Sequence, residues 1–287
     1  MIEHSNSDLH MHSTASDGGY SPSELMKKCK AVDLQIVALT DHDSVDGIEE
    51  ATRVGNELGL DVIPGIELST KHKGKSVHIL GYHLDWRDRK LRSLLECQKQ
   101  LRRERLDQII ARLEPIGLHL KPEDVLKHVD GGSIGRPHVA KALIDAGYVT
   151  DVAEAFEKYL AEGQPGYVEK AKEMTVKEAI DLIHNTGGIA VVAHPVYYDF
   201  DQDIMDWVTK WGLDGVEIYH RDHDKEAIKR FEQLCDSIEK EVGRPLYRTG
   251  GSDFHHEDYG RVPEPLGVTR LRNHFAETLL EKRLSPK

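Results

Sequence analysis

Short apolar segments that end in histidine or a carboxylate recur along most of the chain. Each segment spans only a few residues and is rich in valine, isoleucine, leucine or alanine, which is typical of buried strands. The pattern therefore predicts seven short, largely buried strands. They lie near residues 7–12, 36–39, 62–66, 77–83, 188–193, 215–220 and 246–251.

Helical segments separate several of these predicted strands. Capping-box sequences at Ser21–Glu24 and Thr175–Glu178 each mark the start of a helix, and Pro22 suits the first helical position. Helical periodicity also covers residues 44–58 and 224–240. Alternation of strands and helices predicts an α/β fold with a parallel sheet, most simply a closed or distorted barrel. Barrels of this kind carry their chemistry at the C-terminal strand ends, where the polar residues of this chain fall.

Residues 87–171 interrupt the alternation with several helical segments, the first of which is densely charged. We interpret this region as a helical insertion between two strands of the barrel, placed to cover a substrate. The predicted barrel comprises residues 1–86 and 172–287.

Composition excludes several classes of protein. The 287 residues are 39% hydrophobic with 24 glycines, which is typical of globular proteins and unlike disordered or collagen-like chains. No apolar run approaches the roughly 20 residues of a membrane span, and the N-terminal residues do not resemble a signal peptide. Three scattered cysteines fit a reducing compartment, so we expect a cytoplasmic protein without membrane contact. The net charge of −12 argues against binding of long nucleic acid, and no DNA partner is expected.

Histidine is abundant, and its placement predicts a metal centre. His10 and His12 are two residues apart near a strand end, so both imidazoles can face one ion, and Asp253 and His255 repeat this spacing. Glu67 follows an apolar strand, where a buried carboxylate needs a cation or an ion pair. Nine candidate metal ligands result from this pattern. They are His10, His12, Asp17, His42, Glu67, His78, His194, Asp253 and His255.

Several of these residues, taken alone, have simpler interpretations. Asp17 could belong only to a turn, His78 could be a hydrogen-bonded core histidine, and Asp41 or Asp43 could cap the helix that follows. Asp41 and Glu217 could also orient ligands from behind. Taken together, nine nitrogen and oxygen donors suit two or three ions, and mixed imidazole and carboxylate donors favour manganese, iron or zinc over magnesium or calcium.

The motifs, in this order, resemble the PHP (polymerase and histidinol phosphatase) superfamily of metallophosphoesterases. The resemblance spans nearly the whole chain, and it implies a distorted seven-stranded barrel with a helical insertion and a two- or three-metal site formed by the nine residues. The matching segments are Asp8–Ser13, Ser16–Gly18, Leu39–Asp43, Gly65–Glu67, Val77–Ile79, Ala193–Pro195 and Gly251–His255.

The insertion is similar to that of the stand-alone nucleotide phosphatase branch, which includes 3′,5′-nucleotide bisphosphate phosphatases, AMP-hydrolysing relatives and the 5′→3′ exoribonuclease RNase AM. The similarity rests on Gly135–Ala140 and Tyr159–Val168. It implies that Arg136 and His138 face the metals and hold substrate phosphate, which suits the planar guanidinium of arginine. His223 resembles a position near the substrate, where it could donate a proton to the leaving group or bind phosphate.

Two departures from this branch concern the second phosphate of a bisphosphate substrate. The branch often has a basic residue near Gln164 and an arginine shortly after the Ala-His-Pro motif. In this chain Val196-Tyr197-Tyr198 follows His194-Pro195 instead.

The resemblance implies a metal-dependent phosphatase that hydrolyses the phosphomonoester of small nucleotides, of the AMP or 3′,5′-bisphosphate type, by attack of a metal-bound hydroxide. Arg136 and His223 are the candidate catalytic residues. The expected partner is a small phosphorylated substrate, most simply a nucleotide, whereas short RNA is the substrate if the protein is instead a 5′→3′ exoribonuclease. A histidinol-phosphatase-like enzyme and a non-catalytic metal-binding module are two further hypotheses.

Overall fold

A computed structural model describes residues 5–129, 134–169, 173–258 and 264–284. Seven strands follow one another around a nearly closed barrel, and a short strand, β5, pairs with β3 outside this path. The backbone N–H of Leu9 donates to the carbonyl of Gly250 at 3.1 Å, which brings the last strand back to the first. The strands are β1 Ser7–Asp8, β2 Ile36–Leu39, β3 Asp61–His72, β4 Lys75–Tyr82, β5 Met174–Thr175, β6 Ile189–Val192, β7 Gly215–His220 and β8 Tyr247–Gly251.

Six helices accompany the barrel strands. The two predicted capping boxes, Ser21 with Glu24 and Thr175 with Glu178, are both formed. These helices are α1 Pro22–Ala31, α2 Ile48–Leu58, α7 Val176–Asn185, α8 Asp201–Trp211, α9 Lys225–Val242 and α10 Asn273–Leu284. The predicted α/β fold with a distorted seven-stranded barrel is therefore confirmed.

Among the described residues, four further α-helices lie between β4 and β5. They are α3 Arg89–Leu113, α4 Pro122–Leu126, α5 Arg136–Asp145 and α6 Val152–Ala155, the last continued by a π-helical turn over Phe156–Leu160. Buried aliphatic side chains between Leu106 and Val168 form a hydrophobic cluster of their own, separate from those of the barrel. None of the helices in the described ranges has both the length and the apolar content needed to cross a bilayer.

The prediction of a parallel sheet is only partly correct. β1, β2 and β3 pair in parallel, as do β6, β7 and β8, but β4 is antiparallel to both β3 and β6. The reason is a tight hairpin between β3 and β4, where Lys73 and Gly74 take φ angles of 47° and 81°. Consequently β3 extends to His72, and the expectation that a strand ends at Glu67 is wrong.

The prediction that Asp41 or Asp43 caps the next helix is also wrong. Helix α2 begins only after Gly47, which makes no side-chain capping bond. Asp41 instead accepts hydrogen bonds from Ser13 and Ser16. These bonds tie the end of β2 to the segment that follows β1, so both segments reach the same mouth of the barrel.

Candidate metal centre

Glu67 lies at the centre of the predicted ligand set. It is fully buried in β3, and imidazole nitrogens of five histidines lie within 3.2 Å of its two carboxylate oxygens. His10 Nε2 lies 3.1 Å, His12 Nε2 3.2 Å and His42 Nδ1 3.1 Å from Oε2, while His78 Nδ1 lies 2.8 Å and His194 Nε2 3.0 Å from Oε1.

Two aspartates lie next to histidines of the predicted ligand set. Asp253 Oδ1 lies 3.1 Å from His12 Nε2 and 3.4 Å from His10 Nε2. Asp17 Oδ1 lies 3.2 Å from His255 Nε2. All nine predicted side chains therefore converge on one region, although they come from segments as far apart in the sequence as residues 10 and 255.

Sharp backbone turns direct three segments into this region. His194, Asp253 and Asp43 follow β6, β8 and β2, and their φ angles are 28°, 50° and 49°. Positive φ is uncommon for residues other than glycine and is found preferentially at functional sites. The turns place the histidine or carboxylate at the barrel mouth instead of continuing the strand.

Several compact groups of side chains within the cluster could each hold a cation. The ligand atoms of each group lie within 4.8 Å of one another. The groups are His12, Asp17, His42 and His255; His10, His12, Glu67 and Asp253; His42, Glu67 and His78; and His10, Glu217 and His220. Glu67 belongs to two of these groups, as do His10, His12 and His42.

The electrostatics of the cluster favour bound cations. Burial opposes charge on Glu67, yet the surrounding histidines, His42 and His10 foremost, hold the pKa of this carboxyl well below its usual range. Burial likewise opposes charge on His12, but Asp253 and Glu67 outweigh it and raise the pKa of this imidazole to about 10. Ionised carboxylates are thus concentrated in a buried space, where positive charge is needed to balance them.

Unsatisfied nitrogen atoms point to metal ions as the source of that charge. Within the described part of the chain, His12 Nε2 and His42 Nδ1 are buried and have no hydrogen-bond partner of acceptable geometry. Buried polar atoms without partners are rare in proteins, and a bound ion or water is among the groups that satisfy them. The donor set therefore fits metal ligation.

Hydrogen bonds behind the cluster fix the ring orientation of two histidines. His10 Nδ1 donates to Glu217 at 3.0 Å, and His194 Nδ1 lies 2.8 Å from the hydroxyl of Tyr198. The opposite nitrogen, Nε2, then faces the cluster in both rings. Glu217 also accepts from the backbone N–H of His194 at 2.7 Å, so one carboxylate holds two of the candidate ligands. Such partners orient metal ligands and set their tautomers.

His220 belongs to the cluster but was missed in the sequence. Its Nδ1 accepts from the backbone N–H of Asp222 at 3.1 Å, and its Nε2 lies 3.5 Å from Asp253 Oδ2. Its sequence signal was its position at the end of a predicted strand, in the same segment as Glu217. Arg221 also reaches this carboxylate, at 3.8 Å.

His223 is buried and lies beside His220, with a distance of 5.3 Å between the two ring centroids. Its Nδ1 donates to the carbonyl of Ile218 at 2.7 Å. In the neutral ring Nε2 is therefore an acceptor, and this buried atom has no hydrogen-bond partner in the described residues. Burial also lowers the pKa of His223.

Both residues predicted from the insertion have contacts within that region. Arg136 donates to the carbonyl of Leu160 at 2.9 Å, and its guanidinium lies 5.4 Å from the ring centroids of both Phe156 and Tyr167. His138 Nδ1 accepts from the backbone N–H of Gly135 at 3.0 Å, at the start of α5. The partners in these contacts, Gly135, Leu160, Phe156 and Tyr167, all belong to the insertion.

Comparison with known families agrees with this architecture. The model of the PHP domain matches residues 8–184, which is more than half of the chain. The chain belongs to the PHP family. It is similar to a 5′-3′ exoribonuclease from Haemophilus influenzae, with 38% identity over 86% of this chain and 89% of the relative. It is also similar to a 3′,5′-nucleoside bisphosphate phosphatase from Chromobacterium violaceum, with 33% identity over 87% of each chain.

A solved structure extends the similarity of this PHP protein to the whole fold. It is described as a candidate metal-dependent phosphoesterase from Bifidobacterium adolescentis. The TM-score is 0.80 at 28% identity, with 96% of each chain covered. The family and the fold therefore indicate a metal-dependent phosphoesterase.

Proposed function

We propose that this PHP protein binds two or three divalent metal ions, manganese, iron or zinc, and hydrolyses the phosphomonoester of small nucleotides. The observation that carries the proposal is the enclosure of the Glu67 carboxylate by five imidazole nitrogens. Five rings exceed the roughly four acceptor sites of one carboxylate, whereas imidazoles and carboxylates together are the usual ligands of zinc, iron and manganese. The proposed ligands are His10, His12, Asp17, His42, Glu67, His78, His194, Asp253 and His255.

Bound metal ions supply Lewis acidity and lower the pKa of a coordinated water, which allows in-line attack on a phosphorus atom. The protein contributes orientation. Glu217 and Tyr198 hold His10 and His194 with Nε2 toward the centre, and Asp41 fixes the segment that carries His12 through Ser13 and Ser16. Fixed donors of this kind avoid reorganisation when charge develops in the transition state.

The substrate contacts are proposed at two places. His223 presents a buried Nε2, which in the protonated ring binds phosphate or donates a proton to the leaving oxygen, and in the neutral ring accepts a hydrogen bond from a substrate hydroxyl. Arg136 has five N–H donors, so its bond to Leu160 leaves others for a phosphate. His138 lies near the start of the same helix, α5, and is proposed to bind the same phosphate.

A second candidate reaction is 5′→3′ exoribonuclease activity on short RNA. The supporting observation is the 38% identity to the exoribonuclease of Haemophilus influenzae over most of both chains. Both reactions would use the same metal centre, but the phosphatase hydrolyses a terminal phosphomonoester, whereas the exoribonuclease hydrolyses the phosphodiester between two nucleotides. Rates on AMP, a 3′,5′-bisphosphate and a 5′-phosphorylated oligoribonucleotide, measured with manganese, iron or zinc, separate the two.

The double substitution His10→Ala with His194→Ala tests the proposed centre. We expect loss of turnover on every phosphoester, because these residues contact different oxygens of Glu67. Undiminished hydrolysis by the metal-treated double variant contradicts the proposal. A matched control is the double substitution His184→Ala with His72→Ala, because these histidines pair with Asp214 and Asp203 away from the cluster.

A further inference from the structure

A groove of about 530 Å³ lies beside the metal centre and is not used by the proposed hydrolysis of a mononucleotide. One wall comes from the segment after β2, which includes His42 of the ligand set and Asp43. The other wall comes from one face of α3. Because His42 belongs to both the centre and the groove, a ligand in the groove lies next to the reacting phosphate. The volume of the groove is in the range of pockets that hold small organic ligands.

Four basic side chains of α3 line this groove, and two of them are neutralised. Arg102 forms an ion pair with the buried Asp43, and Arg92 lies 3.2 Å from Asp46. The remaining two, Lys99 and Arg103, are exposed and make no ion pair with the described residues. They are four residues apart on one helix, which places them on the same face about 6 Å apart along its axis.

The rest of the groove combines apolar and polar groups. Leu95 on α3 and Val45 opposite contribute apolar surface, together with Leu126, Val129 and Ile134. Glu96 also lines the groove, and its single negative charge is outweighed by the two positive charges of Lys99 and Arg103. Cations without an ion pair to any described residue, placed beside apolar surface, match the alternating phosphates and bases of a single-stranded nucleic acid.

We infer that this groove binds the nucleotides on the 3′ side of the reacting 5′ end of a short single-stranded oligoribonucleotide, with Lys99 and Arg103 as its phosphate contacts. The inference rests on the second candidate reaction of the proposed function, the one on short RNA, and adds residues that determine substrate length. The Arg102–Asp43 ion pair joins α3 to the residue after His42, which holds this wall of the groove against the metal centre. A mononucleotide has no phosphate to place between Lys99 and Arg103, whereas a longer substrate has one.

The test compares two substrates on the metal-loaded full chain, a 5′-phosphorylated oligoribonucleotide of about five nucleotides and AMP. For the double variant Lys99→Gln with Arg103→Gln, we expect the ratio of kcat/KM on the oligonucleotide to that on AMP to fall about tenfold. The slope of log kcat/KM against log salt for the oligonucleotide should become shallower by about 1.4, since each lost contact to a single strand removes about 0.7. The control is the double variant Lys229→Gln with Lys240→Gln on α9, which has the same net charge as the Lys99/Arg103 variant. It should keep the wild-type kcat/KM ratio and the wild-type salt slope.

A binding measurement separates failure of this inference from failure of the proposed function. Fluorescence anisotropy of a labelled 5′-phosphorylated oligoribonucleotide with phosphorothioate linkages, measured on the metal-loaded full chain, reports groove binding with cleavage between nucleotides suppressed. Weaker binding by the Lys99/Arg103 variant than by the α9 control supports the groove even if no phosphoester is hydrolysed. Equal binding by both variants, or no binding by the wild type, overturns the inference, as does a substrate ratio that the two variants change equally.

Discussion

The phenolic oxygen of Tyr198 lies 2.8 Å from Nδ1 of His194. The same oxygen accepts the backbone N–H of His78 at 2.9 Å, so one buried hydroxyl contacts the segments of two candidate ligands. Tyr198 follows the Ala-His-Pro motif, where related nucleotide phosphatases are expected to carry an arginine nearby. In this chain Tyr198 instead contacts two segments that carry candidate metal ligands, on the side of His194 that faces away from the cluster.

Replacement of Tyr198 by phenylalanine should weaken metal binding without unfolding the protein. Removal of the hydroxyl frees the His194 ring to rotate and to exchange tautomers, and loss of comparable partners costs about 10- to 100-fold in metal affinity or activity. Titration with manganese, followed by activity and by calorimetry, measures the change.

The neighbouring Tyr197 provides the control for this prediction. Its hydroxyl bonds to Asp222, and its ring also lies against His194, with 5.1 Å between centroids. Tyr197→Phe also removes a phenolic hydroxyl from this turn, but it leaves Tyr198 in place as the hydrogen-bond partner of His194 Nδ1. Equal loss of affinity in the two variants would refute the specific role of Tyr198.

Glu217→Gln should lower metal affinity more than Tyr198→Phe does. One oxygen of the carboxylate accepts from His10 Nδ1 and the other accepts from the backbone N–H of His194. The amide nitrogen of glutamine would replace one of these oxygens and so place an N–H donor against another N–H donor. An unsatisfied buried donor costs about 1–3 kcal/mol. The melting temperature and the metal content after dialysis report the two effects.

Glu232→Gln makes the same chemical change away from the centre. The Glu232 carboxylate accepts from the Tyr219 hydroxyl at 2.7 Å, where α9 packs against β7. Metal content should stay at the wild-type value in this variant. A metal loss as large as that of Glu217→Gln would mean that the effect is not transmitted through His10 and His194.

Gly215→Ala should destabilise the barrel. A Cβ atom at this position would lie 2.2 Å from the carbonyl oxygen of Tyr247, because β7 and β8 approach closely at their first residues. Displacement of backbone is required, and overpacking of this kind costs about 1–3 kcal/mol. Chemical denaturation of the metal-loaded protein gives the free energy of unfolding, and an unchanged value would show that the strands separate more easily than the structure indicates.

Metal removal should destabilise the folded chain as well as abolish activity. Ions that bind only the folded state contribute about 2.7 kcal/mol at a free concentration one hundred times the dissociation constant. Treatment with EDTA should therefore lower the melting temperature at neutral pH, and added manganese, iron or zinc should restore it. A melting temperature that is insensitive to both would contradict a ligand cluster that depends on cations for charge balance.

The nine converging residues could be predicted from the sequence because their signal is local. An apolar segment followed by histidine or carboxylate is visible at His194 without knowledge of the fold, and the paired spacing of His10 and His12 is visible as well. Glu67 lies in the cluster even though its strand continues to His72. The hairpin that makes β4 antiparallel depends on a short turn at Lys73 and Gly74, which the apolar pattern does not report.

Contacts between distant segments were not predictable in the same way. His220 was missed because it closes a segment in which Glu217 already accounted for the polar end of the strand. The Arg102–Asp43 ion pair joins residues of the insertion and the barrel, and charged residues on a long helix carry no indication of their partners. Arg136 could be proposed from resemblance alone, and its observed contacts with Leu160, Phe156 and Tyr167 do not include the cluster.

The amount of metal bound per chain tests the central claim most directly. After reconstitution with manganese and gel filtration, elemental analysis of the wild type should find about two or three ions per chain, as nine such ligands allow. The Glu67→Gln variant should retain fewer, because its carboxylate lies within reach of five histidines. Wild-type protein that retains no transition metal, or a Glu67→Gln variant with the full complement, would contradict the account.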